Sequence, residues 1–459
     1  MIDHDPAQDQ PIASKGDLLA IFHEAEKPAS EFRIGAEAEK AGVLEDGARP
    51  LHYEGTAGVL SILGELVTRY GWAAEREKTD GPIIALTRNG ASITLEPGAQ
   101  LELSGAPLAT IHEVAAELDE HLHEITSITD RNGVAWLGLG FQPFARRDEL
   151  TFVPKARYGI MREYLPKRGA HALDMMLRTC TVQANYDYAN ERDAMRKLRV
   201  GLKLSPLTTA IFANSPWVEK APYGGLSYRA RVWLDVDPDR SGLVASVWPE
   251  QAGYAEYAEW ALDVPMFLVK RGADVLLNTG QTFRSFWKDG FEGHRATLAD
   301  WQLHLNTLFP EVRLKRTLEI RGADMQSSEN APALAALWTG IYYDAQALSA
   351  AEEVTRDFQH REVVALREHI HRDGLRTLWR GRPLAELAGQ ILEIAEAGLV
   401  RRCRLDARGR DETRHLATIK QLVGNAKTPA DALLESVDPG KDLTAEVIRR
   451  ARLTLSPRS

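Results

Sequence analysis

Four segments of the chain alternate apolar residues with acids and amides, and this alternation restricts the folds open to it. In 34–39, Ile34, Ala36 and Ala38 make one set, and Glu37 and Glu39 the other. In 100–104, Leu101 and Leu103 separate Gln100, Glu102 and Ser104. In 181–187, Val182, Ala184 and Tyr186 separate Thr181, Gln183, Asn185 and Asp187. In 318–321, Leu318 and Ile320 flank Glu319, with Arg321 next. Successive side chains of a strand point to opposite faces. Each segment therefore offers an apolar face to a helix layer and a second face of carboxylates, amides and one guanidinium.

Solvated strand faces usually mix Lys, Arg and Thr, whereas these use Glu, Gln and Asn almost exclusively. If the four strands share a sheet, at least four glutamates converge. Carboxylates brought together repel one another unless a cation lies among them. Such hard oxygen donors suit Mg²⁺ or Mn²⁺, in sites that commonly serve phosphates. The residues alone leave two other readings open: solvated faces of amphipathic strands, and a two-metal hydrolase that works without ATP.

The strands arrive as separated pieces and hairpins. Residues 32–43, 100–104, 134–141, 178–188, 226–236 and 313–320 read as strands, and 83–96 as a hairpin about Asn89-Gly90. Ser14, with Asp17 in a capping box, starts a helix running to about residue 27. Further helices are expected at 56–70, 110–130 and 191–212, and from about 331 the chain is nearly all helix. This order predicts an α+β fold with a mainly antiparallel sheet and not a doubly wound one. With no linker, 15–455 reads as a single catalytic domain behind a disordered tail of residues 1–14. His121 and His123, like His369 and His371, stand two apart on helices, share no face and are expected at the surface.

A net charge of −9 and a pI near 5.9 exclude nucleic acid as a main partner. They do not exclude a nucleotide held through cations. Two cysteines in 459 residues make no disulfide framework and suit a reducing, cytoplasmic setting. The polar N-terminus reads as neither a signal nor a transit peptide, and no apolar run is long enough to cross a membrane. A P-loop is absent. Gly138-Leu-Gly140 is followed by Pro143 where a dinucleotide fingerprint needs glycine, so it reads as a plain strand end.

The acidic strands also carry a resemblance. Residues 32–40 (FRIGAEAEK) and 95–107 (LEPGAQLELSGAP) resemble motifs of plant-type glutamate–cysteine ligases. So do 154–161 (PKARYGIM), 173–185 (LDMMLRTCTVQAN), 212–216, 261–266, 280–284 and 309–324 (FPEVRLKRTLEIRGAD). The resemblance covers roughly residues 30 to 345. It implies a glutamine-synthetase-like fold, a curved antiparallel sheet forming a bowl-shaped active site with helices on its convex side. It implies an ATP-dependent ligase that joins L-glutamate and L-cysteine through a γ-glutamyl phosphate, the first step of glutathione biosynthesis. A related carboxylate–amine ligase using another amine is the alternative.

Position by position, the resemblance implies metal ligation by Glu37, Glu39, Glu96, Glu102, Gln183 and Glu319, with Mg²⁺ or Mn²⁺ as the cation. It gives Arg321 to the transferring phosphoryl group, Arg229 to a substrate carboxylate, Met176 to the glutamate pocket and Arg284 to substrate or nucleotide. It leaves a monomer or a homodimer open. Plant members carry cysteine pairs that tie oxidation to activity. Here only Cys180 and Cys403 exist, and strand parity puts Cys180 with Val182 and Ala184 on the apolar face, so no such switch is expected.

Overall fold

The computed structural model describes residues 10–272 and 274–455. Its centre is a ten-stranded sheet. The strands are β1 Ile34–Leu44, β2 Arg49–Pro50, β3 Ala73–Glu75, β4 Ala85–Arg88, β5 Ala91–Leu95, β6 Leu101–Ser104, β7 Val134–Leu137, β8 Thr181–Tyr186, β9 Val312–Leu314 and β10 Leu318–Asp324. The order is β9-β10-β8-β1-β6-β5-β4-β3, antiparallel throughout and open at both ends. The far half of β1 pairs instead with β7 and β2. The four acid-faced segments are thus four adjacent strands, β10, β8, β1 and β6.

The β4–β5 turn falls on Asn89-Gly90, both with positive φ, as the hairpin signal requires. The apolar face is covered by α1 Ile111–Thr129, α2 Glu191–Ile211 and α3 Ala331–Tyr342. Every residue of α3 is buried, because α4 Leu384–Arg402 packs on its other side. The two helices touch through Gly340 and Gly398: a Cβ at Gly340 would lie 2.2 Å from the Ala395 carbonyl oxygen. One continuous apolar core takes residues from Ile12 to Leu453.

Three expectations are corrected. Residues 226–236 do not form a strand; Ser227 caps a short helix, Tyr228–Trp233, by accepting from Ala230 N. The alternation there was misleading because the Ser cap, followed by Arg and Ala, favours a helical turn. Residues 313–320 are not one strand but the β9–β10 hairpin, turning at 315–317. His121 is not at the surface: it is buried beneath β1 with its Nε2 3.1 Å from Lys40 Nζ, and Lys40 also donates to Ala38 O. The Lys40 ammonium is desolvated there, which lowers its pKa to about 8.

The tail divides. Residues 1–9 lie outside the described residues. Residues 10–14 are ordered against the fold, correcting that part of the expectation: Pro11 bridges Thr297, and Ile12 is buried with its N–H bonded to Ala296 O. The Ser14–Asp17 capping box starts a helix as expected, but the helix ends at His23, short of residue 27.

Candidate active site

Strand register sets the acids in rows. Glu39 on β1 stands opposite Glu102 on β6. Glu37 stands opposite Gln183 on β8 and Ser104 on β6. Glu319 on β10 faces Asn185 on β8. Glu96 sits just past β5, in the tight turn that leads into β6, where Ala99 N bonds Glu96 O. That turn needs Gly98, since a Cβ there would lie 2.3 Å from Leu177 O. It also reaches the Met176 helix, Ala172–Arg178, because Gln100 Nε2 donates to Met176 O. Met176 itself is buried among apolar side chains that include Phe141, Leu177 and Phe267.

The acids are poorly compensated. Burial raises the pKa of Glu37 to about 8, and Glu319 and Glu102 add to the effect. Glu39 is pushed well above the ordinary range by burial, then by Glu96 and Glu102. Glu102 is raised by burial and by Glu96, and it shares a hydrogen bond with Glu37. The remaining contacts are amide or hydroxyl donors: Asn185 Nδ2 to Glu37 at 2.8 Å, Gln183 Nε2 to Glu39 at 3.4 Å, and Thr94 to Glu102.

Glu319 behaves oppositely. Despite complete burial, Arg313, Lys315 and Arg321 hold its carboxyl well below the usual range. Arg313 clasps it with two nitrogens, and Lys315 lies 2.8 Å away. Among the described residues, no three of His, Cys, Asp and Glu stand close enough to chelate one ion. Glu37 is drawn toward Asn185 and Glu319 toward its cations, so the acids share a face without closing on one point. In chemistry Glu37, Glu39 and Glu102 suit a divalent cation, being mostly buried oxygen donors whose mutual repulsion a bound charge would relieve; in geometry they would have to draw together to ligate one ion.

The arginines flank this surface. Arg321 Nη1 donates to Gln183 Oε1 at 2.8 Å and to Glu319. Arg229 is buried; its Nη2 donates to Arg321 O at 2.8 Å, while its Nε has no partner. Arg229, Arg321, Trp233, Phe309 and Glu311 line one small cavity.

The hydrogen-bond partners of Arg284 lie on a neighbouring helix and not on the acid-faced strands. Its guanidinium bridges Asp263 and Glu259 in a half-exposed ion pair between two helices. Three residues were missed from the sequence. Lys155 Nζ and Tyr158 OH both donate to Leu95 O, beside Glu96. Burial opposes the charge on Arg157, but Tyr158, Glu96 and Glu102 raise its pKa overall. Their signal was available in the 154–161 motif, which carried resemblance but no assigned role.

The model of glutamate–cysteine ligase family 2 matches residues 33–451. Glutamate–cysteine ligase B, chloroplastic, of Oryza sativa subsp. japonica is 41% identical over 437 residues, covering 93% of this chain and 86% of that one. The chloroplastic enzyme of Arabidopsis thaliana is also 41% identical, over 93% of this chain and 82% of its own length. A glutamate–cysteine ligase from Francisella tularensis, solved in complex with AMP, shares the fold at a TM-score of 0.56. It is 13% identical, and the match covers 92% of this chain and 88% of that one. The relatives correct the cytoplasmic expectation, because each of these plant enzymes is named as chloroplastic. With the family model spanning nearly the whole chain and the acid-faced sheet in place, the chain belongs to glutamate–cysteine ligase family 2.

Proposed function

We propose that the acidic face of β10, β8, β1 and β6 is where this ATP-dependent ligase joins glutamate to cysteine, with residues 15–455 acting as one catalytic unit. The observation that carries the site is the set of buried, mutually repelling glutamates in register across β1 and β6. A glutamate γ-carboxylate oxygen attacks the γ-phosphorus of ATP and ADP leaves. The cysteine amine then attacks the acyl carbon, phosphate leaves with the C–O bond pair, and the amine loses a proton. Such chemistry asks the protein for positioning and charge neutralisation.

Glu37, Glu39, Glu96 and Glu102, with Gln183, would hold Mg²⁺ or Mn²⁺. Bound there, the cation supplies the charge that lets phosphates and a substrate carboxylate approach an acidic surface. Glu319 has a different first duty: already neutralised by Arg313 and Lys315, it fixes Arg321. Arg321 then presents a delocalised guanidinium to the transferring phosphoryl group. Arg229, with Nε unpaired beside the same cavity, receives a carboxylate of glutamate. Met176 forms part of the apolar wall.

The test is ADP formation with Mg²⁺, ATP and L-glutamate against a panel of amines. Cysteine should give the highest kcat/KM. A preference for another amine would assign the chain to a different carboxylate–amine ligation.

A further inference from the structure

Asp324 ends β10 and was invisible to strand parity. Counted by twos from Glu319, it belongs on the apolar face. The ladder between β10 and β8 slips by one residue between Ile320 and Ala323, so Asp324 pairs with Thr181. Glu319 pairs with Asn185 on the same strand, and cross-strand partners share a face. The bulge at Arg321-Gly322 thus turns Asp324 to the side that carries Gln183 and Glu39.

There Asp324 is fully buried and accepts three hydrogen bonds, from Asn214 N at 2.7 Å, Ser215 Oγ at 2.7 Å and Ser227 Oγ at 2.9 Å. Both hydroxyls lead to Arg229. Ser215 Oγ accepts from Arg229 N at 3.2 Å, and Ser227 Oγ caps the helix that bears Arg229 by accepting from Ala230 N at 3.0 Å. Among its acidic neighbours, Asp324 does most to sustain the Arg229 charge against burial. Gly140 seals the other side: a Cβ there would stand 2.3 Å from Asp324 Cγ, and Gly140 N bonds Asn214 O. Gly140 therefore packs its backbone directly against this carboxylate.

We infer that Asp324 is a positioning residue for substrate binding: through Ser215 and Ser227 it locks the Arg229 helix to the end of β10, so that Arg229 and Arg321 hold one fixed separation. The inference rests on the reading of Arg229 as the glutamate-carboxylate arginine. Asp324 touches no substrate and acts through the orientation of Arg229, which sets how well a carboxylate fits.

The test is steady-state kinetics of the full chain with Mg²⁺, varying ATP and glutamate separately. Asp324→Asn should raise KM for glutamate about tenfold while KM for ATP stays within about twofold. Ser215→Ala, which removes one link and keeps the buried carboxylate, should move glutamate KM in the same direction by about threefold; it carries the test if Asp324→Asn does not fold. Adding either change to Arg229→Lys should produce little further loss, because the route runs through Arg229. Equal effects on ATP and glutamate, or full additivity with Arg229→Lys, would overturn the inference while leaving the role of Arg229 standing. If Arg229→Ala alone leaves glutamate KM unchanged, the reading of Arg229 falls, and this inference with it.

Discussion

Glu39 and Glu102 face each other directly across the β1–β6 ladder. Like charges in that position destabilise a sheet, and burial sharpens the cost. A protein keeps such a pair when a cation or a proton resolves it. Glu102→Gln should therefore cut turnover by about a thousandfold, near 4 kcal/mol of transition-state stabilisation. The metal-free variant should melt at the same temperature as the parent or higher. Normal turnover at saturating Mg²⁺ would remove Glu102 from the metal set.

Protonation and metal binding should compete at Glu37. Its folded-state pKa is near 8 against an ordinary 4.5. Between those values the folded state keeps a proton that the unfolded state has released. This contribution to stability is complete below the lower value and disappears as pH rises through the upper one. A cation that replaces the proton should therefore raise Tm more at about pH 9 than at about pH 6. Glu37→Gln should flatten that difference, and an unchanged difference in the variant would place the linkage elsewhere.

Arg229 has one hydrogen bond from its guanidinium and an idle Nε. Arg229→Ala should weaken glutamate by about 2–5 kcal/mol, with little effect on ATP. Lysine should rescue poorly, since an ammonium cannot make the two-pronged contact. Equilibrium binding of each substrate separates the two effects.

Much of this was legible before the structure. The period-2 pattern of four segments placed Glu37, Glu39, Glu102, Gln183 and Glu319 on one face, and their strands proved to be neighbours. What parity could not see was the slip after Ile320, because a bulge leaves no mark on alternation. It hid Asp324. The neutralisation of Glu319 is equally hidden: Arg313 on β9 and Lys315 in the turn reach it only because 313–320 folds back as a hairpin, which alternation does not reveal. The burial of His121 is not legible from its spacing to His123, because it depends on Lys40, which β1 sets against α1.

The two cysteines make a further prediction. Cys180 is fully buried, and burial pushes its thiol well above the ordinary range. Cys403 is exposed and ends α4 with φ at +52°, a conformation that favours glycine. Cys403→Gly should stabilise the fold by about 0.5–1 kcal/mol in denaturant titration. Activity should be the same after reductant or mild disulfide oxidant. A several-fold gain on oxidation, lost in Cys403→Ser, would show a thiol switch after all.

The most direct measurement is a stoichiometric one: ADP and γ-glutamylcysteine counted together, with ATP, L-glutamate and L-cysteine, in Mg²⁺ and after its removal by chelator. The account predicts one ADP for each γ-linked dipeptide, no ADP without the amino acids, and loss of both products on chelation. ADP released without dipeptide, or dipeptide formed at an undiminished rate in chelator, would contradict it.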